Sequence, residues 1–155
     1  MTHAHPSAPA GPALTRLAVS ATLHCLTGCA IGEVLGLVLA TWWGWSEAPS
    51  IALAVVLAFF FGYALTVWPL LRSGMSLRSA VKIALAADTL SILTMEIVDN
   101  AIILAVPGAM EAGLASPLFW GTLAFALAVA FVVTVPVNRA LIARGKGHAV
   151  VHAHH

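Results

Sequence analysis

The sequence predicts an all-α integral membrane protein with four transmembrane helices, and three observations predict it. First, 61% of the 155 residues are hydrophobic and only 8% are charged, with a mean hydropathy of +0.98. A soluble domain is nearer 45–50% apolar and about 25% charged, so too few charges exist here to cover a water-facing surface. Second, the apolar residues fall into four runs, each long enough to cross a bilayer at about 20 residues per crossing. Third, all seven Lys and Arg residues fall on one side of a four-span arrangement. These numbers exclude a soluble enzyme and a disordered chain, and a formal net charge of +1 argues against a nucleic-acid binder.

The segment MTHAHPSAPAGPA is rich in Pro, Ala and His and reads as a flexible tail over roughly residues 1–14. It is not expected to be a signal peptide, because the apolar run after it carries His24, Cys25, Cys29 and Glu33 and lacks a clear small-residue cleavage site. The first span covers roughly 15–42 and stops at Trp42-Trp43-Gly44-Trp45-Ser46-Glu47-Ala48-Pro49. The second covers roughly 50–71 and gives way to Arg72-Ser73-Gly74-Met75-Ser76-Leu77-Arg78. The third covers roughly 80–106, closed by Pro107-Gly108, and the fourth roughly 117–141, opened by Ser116-Pro117. The transmembrane domain thus occupies roughly residues 15–142, followed by a His-containing tail over roughly 143–155.

Orientation follows from the charges. Arg16 precedes the first span, Arg72, Arg78 and Lys82 surround the middle loop, and Arg139, Arg144 and Lys146 follow the fourth span. The two opposite loops hold only Glu47 and Glu111. The positive-inside rule therefore places both termini and the middle loop in the cytoplasm. Trp42, Trp43, Trp45 and Trp120 then mark the outer interface and Trp68 the inner one.

A faint repeat accompanies this pattern. Thr66-Val67-Trp68-Pro69-Leu70-Leu71-Arg72 and Thr134-Val135-Pro136-Val137-Asn138-Arg139 close alternate spans, and Glu47-Ala48 and Glu111-Ala112 occupy matching loops. Two parallel helical hairpins explain it. Recurrence of Pro and Arg wherever a helix leaves the membrane explains it too.

Four of the six acidic residues, Glu33, Asp88, Glu96 and Asp99, fall inside spans one and three. Each costs at least about 2.5–3.5 kcal/mol at the bilayer centre, so each is expected to face the bundle interior and to serve function. Spans two and four carry no acid and read as packing walls. At about 1.5 Å rise per residue, the polar groups form three rungs. His24, Cys25 and Asp88 make the inner rung, Cys29 and Met95 the middle one, and Glu33, Glu96, Asp99 and Asn100 the outer one. Cys25, Cys29 and Glu33 share one helical face, beside a ridge of Gly28, Gly32 and Gly36 that permits close backbone approach. Spans one and three are expected to meet along those glycines, and the same ridge suggests a homo-oligomer.

Thiolate and thioether suit a soft ion such as Cu(I), imidazole suits copper or zinc, and carboxylates suit harder ions or protons. The metal set is therefore His24, Cys25, Cys29, Glu33, Met95 and Glu96, with copper as the first candidate. Glu33, Asp88, Glu96, Asp99 and Asn100 form the proton or ion pathway. Each feature also has a plain structural reading. Buried cysteines pack as small hydrophobes, Met95 fills space, and the acids form a hydrogen-bonded network with Asn100, Thr89 and Ser91. His3, His5, His148, His152, His154 and His155 in the tails suggest metal capture, or nothing more than unstructured composition.

The segments from His24 to Glu33 (HCLTGCAIGE) and from Asp88 to Asn100 (DTLSILTMEIVDN) resemble the two signature segments of a bacterial four-helix membrane family catalogued as a domain of unknown function. The resemblance implies the four-helix fold, associates these polar positions with the family's function, and supplies no reaction. The family is similar in places to proteins found with copper- or heavy-metal-binding modules. Small mercury-uptake membrane proteins, with paired cysteines in the first span, are a more distant analogue. The Cys-xxx-Cys spacing and the intramembrane carboxylates depart from them.

The expected function is binding of a transition metal, copper first, between helices one and three, with transport across the bilayer as its use and a cytoplasmic metal donor or acceptor as partner. The competing readings are a proton-coupled small-solute carrier and an assembly subunit without a ligand. No nucleotide-binding loop occurs, so transport is expected to be passive or driven by protons or the metal gradient. An enzyme that uses a bound metal for redox work is the less expected reading, since nothing in the sequence names a substrate.

Overall fold

A computed structural model describes residues 10–144. Four helices follow one another: α1 (Gly11–Trp43), α2 (Glu47–Arg72), α3 (Leu77–Ala105) and α4 (Pro117–Ala143). No strand occurs among the described residues. The fold is therefore all-α, as the composition and the four apolar runs predict. The helices extend past the expected spans at several ends. α1 begins at Gly11, not near residue 15, with Pro12 in its first turn, where the missing N–H leaves no helical bond unmade. The His-rich tails lie outside the described residues.

The boundaries have local causes. Gly44 adopts φ 70° and closes α1 in the left-handed conformation. The Ser76 hydroxyl accepts from the Ser79 amide at the start of α3, and the Ser116 hydroxyl accepts from the Leu118 amide at the start of α4. Short connections at 44–46 and 73–76 force antiparallel neighbours.

Helices α1, α2, α3 and α4 form a ring in that order, with α1 and α3 touching across its middle. The most extensive pairing is α1 on α2. There the glycine ridge finds its partner, and it is not α3. A Cβ added at Gly28 would stand 2.7 Å from the Gly62 Cα, one at Gly36 would stand 2.5 Å from the Ala54 Cα, and one at Gly32 would overlap the Ala58 backbone. The ridge meets a complementary stripe on α2, buried at Ser50, Ala54, Ala58, Gly62 and Thr66. Small residues at four-residue spacing on both helices let the backbones touch, which is how packing succeeds where lipid offers no hydrophobic drive. Gly28, Gly32 and Gly36 are thus helix-packing residues, but they serve the α1–α2 hairpin and are covered within one chain.

Three helices, α1, α2 and α4, are long and apolar enough to cross a membrane. α3 has comparable length, 29 residues, and carries Asp88, Glu96 and Asp99. All three acids are buried, while Leu85, Leu90, Leu93, Ile97 and Leu104 point outward. Beyond Arg78 and Lys82 near its start, the surface that α3 presents around the bundle is therefore mainly apolar. Outward Phe60, Phe125 and Val132 continue the same apolar exterior, which suits contact with a bilayer.

Candidate functional site

Because α1 and α3 run parallel across the middle of the ring, residues about 63 positions apart stand at the same height. Cys25 Sγ lies 4.0 Å from Asp88 Oδ1. One to two turns along, Cys29 sits beside Glu96, and Glu33 faces both Asp99 and Glu96. Cys25, Cys29 and Met95 belong to one core cluster, packed with Ala58, Ile92 and Ala130. Facing helices thus supply Cys25 and Asp88 at one height and Glu33, Glu96 and Asp99 further along, whereas the expected middle rung is not separate, because Cys29 reaches Glu96.

The inner rung is richer than the sequence suggests. α4 is not merely a packing wall, because it contributes Asn138, which has no exposed surface. Asn138 Nδ2 donates to Thr22 Oγ1 at 2.9 Å, and the Ser91 hydroxyl donates to Asn138 Oδ1. Thr22 in turn donates to the Ala18 carbonyl at 2.7 Å. One buried amide thus ties α1, α3 and α4 together beside Cys25 and Asp88. α2 takes part as well, since His24 Nε2 lies 3.0 Å from Thr66 Oγ1. Thr89, by contrast, does not join the acids. It bonds the Leu85 carbonyl and the Tyr63 hydroxyl on the exposed side of α3.

The outer rung is under-satisfied. Asn100 Nδ2 donates to the Glu96 carbonyl at 2.9 Å and to Glu96 Oε2 at 3.3 Å. Glu33 Oε2, Glu96 Oε1 and both oxygens of Asp99 are buried without a hydrogen-bond donor among the described residues. Every described Lys and Arg side chain is exposed. Four acids therefore occupy the interior, Glu33, Asp88, Glu96 and Asp99, and no described Lys or Arg side chain is buried with them. Burying carboxylate oxygens without a donor is costly, so the outer rung of Glu33, Glu96 and Asp99 calls for a proton or a cation.

Its chemistry divides along the axis. The middle of the bundle offers the thiols of Cys25 and Cys29, neither in a disulfide, and the Met95 thioether, and the outer rung offers carboxylate oxygens without donors. Among the described residues, no three His, Cys, Asp or Glu side chains are arranged to hold a metal ion. A soft ion would draw on Cys25, Cys29 and Met95, and the carboxylates would balance its charge or bind protons. Asn138 and Thr22 are the functional-region residues that the sequence does not single out. The four-residue spacing of Ala126, Ala130, Thr134 and Asn138, all buried in α4, is the signal that points to them.

Residues 16–147 match a family described as a domain of unknown function, DUF4396. No curated protein and no solved structure matches the chain.

Proposed function

The chain belongs to the DUF4396 family, and from its own residues we propose that it is a membrane protein that holds a cation inside the bundle, between α1 and α3. A transition metal, copper first, is the proposed ion, and movement across the bilayer is its proposed use. The observation that carries the reading is the outer rung of Glu33, Glu96 and Asp99, three buried acids with carboxylate oxygens left without donors and no described Lys or Arg side chain buried beside them. Intramembrane ionisable groups are expensive and are retained for ion or proton handling. Softness is supported by the sulfur atoms of Cys25, Cys29 and Met95 in one cluster.

The basic residues support an orientation with both termini in the cytoplasm of a bacterial inner membrane, where a metal donor or acceptor would meet the chain. Self-association remains part of the proposal, but not through Gly28, Gly32 and Gly36, which α2 covers. A second reading, a proton-coupled carrier, is favoured by the missing three-donor group of His, Cys, Asp or Glu among the described residues. There the acids alternate between protonated and charged, and the cysteines only pack. Titration of the purified protein with copper(I), zinc(II) and calcium(II) separates the two. Saturable binding selective for copper(I) is expected, and no binding of any of the three leaves the proton reading.

A further inference from the structure

The end of the bundle that carries the α1–α2 and α3–α4 connections has a recess walled by Glu47, Pro107, Gly108 and Glu111. A second, narrower recess lies deeper and is lined by Glu33, Leu37 and Asn100. Ile103 and Met110 line both, so these two side chains stand between them. The deeper one has room for about one water-sized body. Glu33 is 3% exposed, lines that deeper recess, and has an Oε2 with no donor among the described residues.

We propose that this recess is the port by which a cation reaches Glu33, with Glu47 and Glu111 as its attracting rim and Ile103 and Met110 as its neck. The proposal rests on the cation reading and adds the route of entry and its charge selectivity. Rim acids concentrate cations near a low-dielectric opening and repel anions. The opposite end of the bundle carries Arg72, Arg78, Arg139 and Arg144, all exposed, and disfavours the same cations. The neck admits a dehydrated ion or a water and proton, not a fully hydrated metal. The Met110 thioether gives a soft ion one donor at the point where its water is lost, and Glu33 supplies charge next.

The test uses thiol-reactive methanethiosulfonates of opposite charge on the purified, monodisperse protein. Cys25→Ser/Cys29→Ser removes both native thiols, and Met110→Cys or Ile103→Cys then places one thiol at the neck. Each rate is divided by the rate of the same reagent with a free thiol in solution. The trimethylammonium reagent is expected to react on the order of 10-fold faster than the sulfonate at both positions. Adding Glu47→Gln and Glu111→Gln is expected to bring the ratio close to one. Equal normalised rates in the first background, or a ratio unmoved by the Gln changes, overturns the port. Copper(I) titration of the wild type reads the other half. Copper binding without charge preference at the neck overturns the port and leaves the site. Charge preference without copper binding overturns copper and leaves a port for another cation.

Discussion

Cys25 Sγ on α1 and Asp88 Oδ1 on α3 lie 4.0 Å apart across the middle of the bundle, between helices that touch less than any neighbouring pair in the ring. The contact sets the register of the site. With Cys25 level with Asp88, parallel helices rising together bring Glu33 level with Glu96, each eight residues further on, while Cys29 reaches Glu96 and Glu33 reaches Asp99 from a turn or so below. Every intramembrane acid therefore meets a partner helix at its own height, and none faces the apolar exterior.

The α1–α2 seam depends on bare backbone at Gly32. Gly32→Val is expected to lower stability by about 1–3 kcal/mol, because the new side chain must push α2 away along its whole length. Gly121→Ala is the control. A Cβ there meets nothing within 4 Å, so stability should hold or rise by up to about 1 kcal/mol. Thermal midpoints of the two variants in the same detergent check the contrast. Equal midpoints would mean that the seam is not closely packed.

Asn138→Leu removes the bonds to Thr22 and Ser91 from a fully buried position. The expected loss is about 1–2 kcal/mol, read as a lower thermal midpoint. Thr89→Val loses two exposed bonds, to Tyr63 and to the Leu85 carbonyl within its own helix, and should cost less than about 0.5 kcal/mol.

Membrane topology tests α3 as the fourth span. Single cysteines replacing Ser46 or Ala112 should be labelled by an impermeant reagent from one side of the membrane, and one replacing Ser73 from the other. In the Cys25→Ser/Cys29→Ser background no other thiol competes. Labelling of Ser73→Cys and Ala112→Cys from the same side would remove α3 as a crossing.

Much of this arrangement is legible in the sequence, and the illegible part has a physical cause. Helix number and approximate ends follow from Gly44, Pro107 and the Ser-capped starts at Ser76 and Ser116, because these residues act locally. The matched heights of Cys25 and Asp88 follow from a constant rise per residue. The partner of the glycine ridge does not follow, since a small-residue stripe says only that some backbone comes close. The answer lay in the matching stripe from Ser50 to Thr66, easily read as featureless apolar sequence. Asn138 was obscured by Arg139 beside it, which makes the pair look like an interfacial end. Only its four-residue spacing from Thr134 and Ala130 shows that it turns inward.

The most direct test of the account is copper(I) affinity in three proteins: wild type, Cys25→Ser/Cys29→Ser, and Glu33→Gln. Serine is nearly isosteric with cysteine but lacks the soft donor, and glutamine keeps the shape of glutamate without its charge. Each variant is first shown to keep the wild-type thermal midpoint and elution volume. The account predicts one saturable site in the wild type, a loss of at least about 100-fold in affinity in the serine variant, and about 10-fold in Glu33→Gln. Equal copper affinity in the wild type and the serine variant would contradict it.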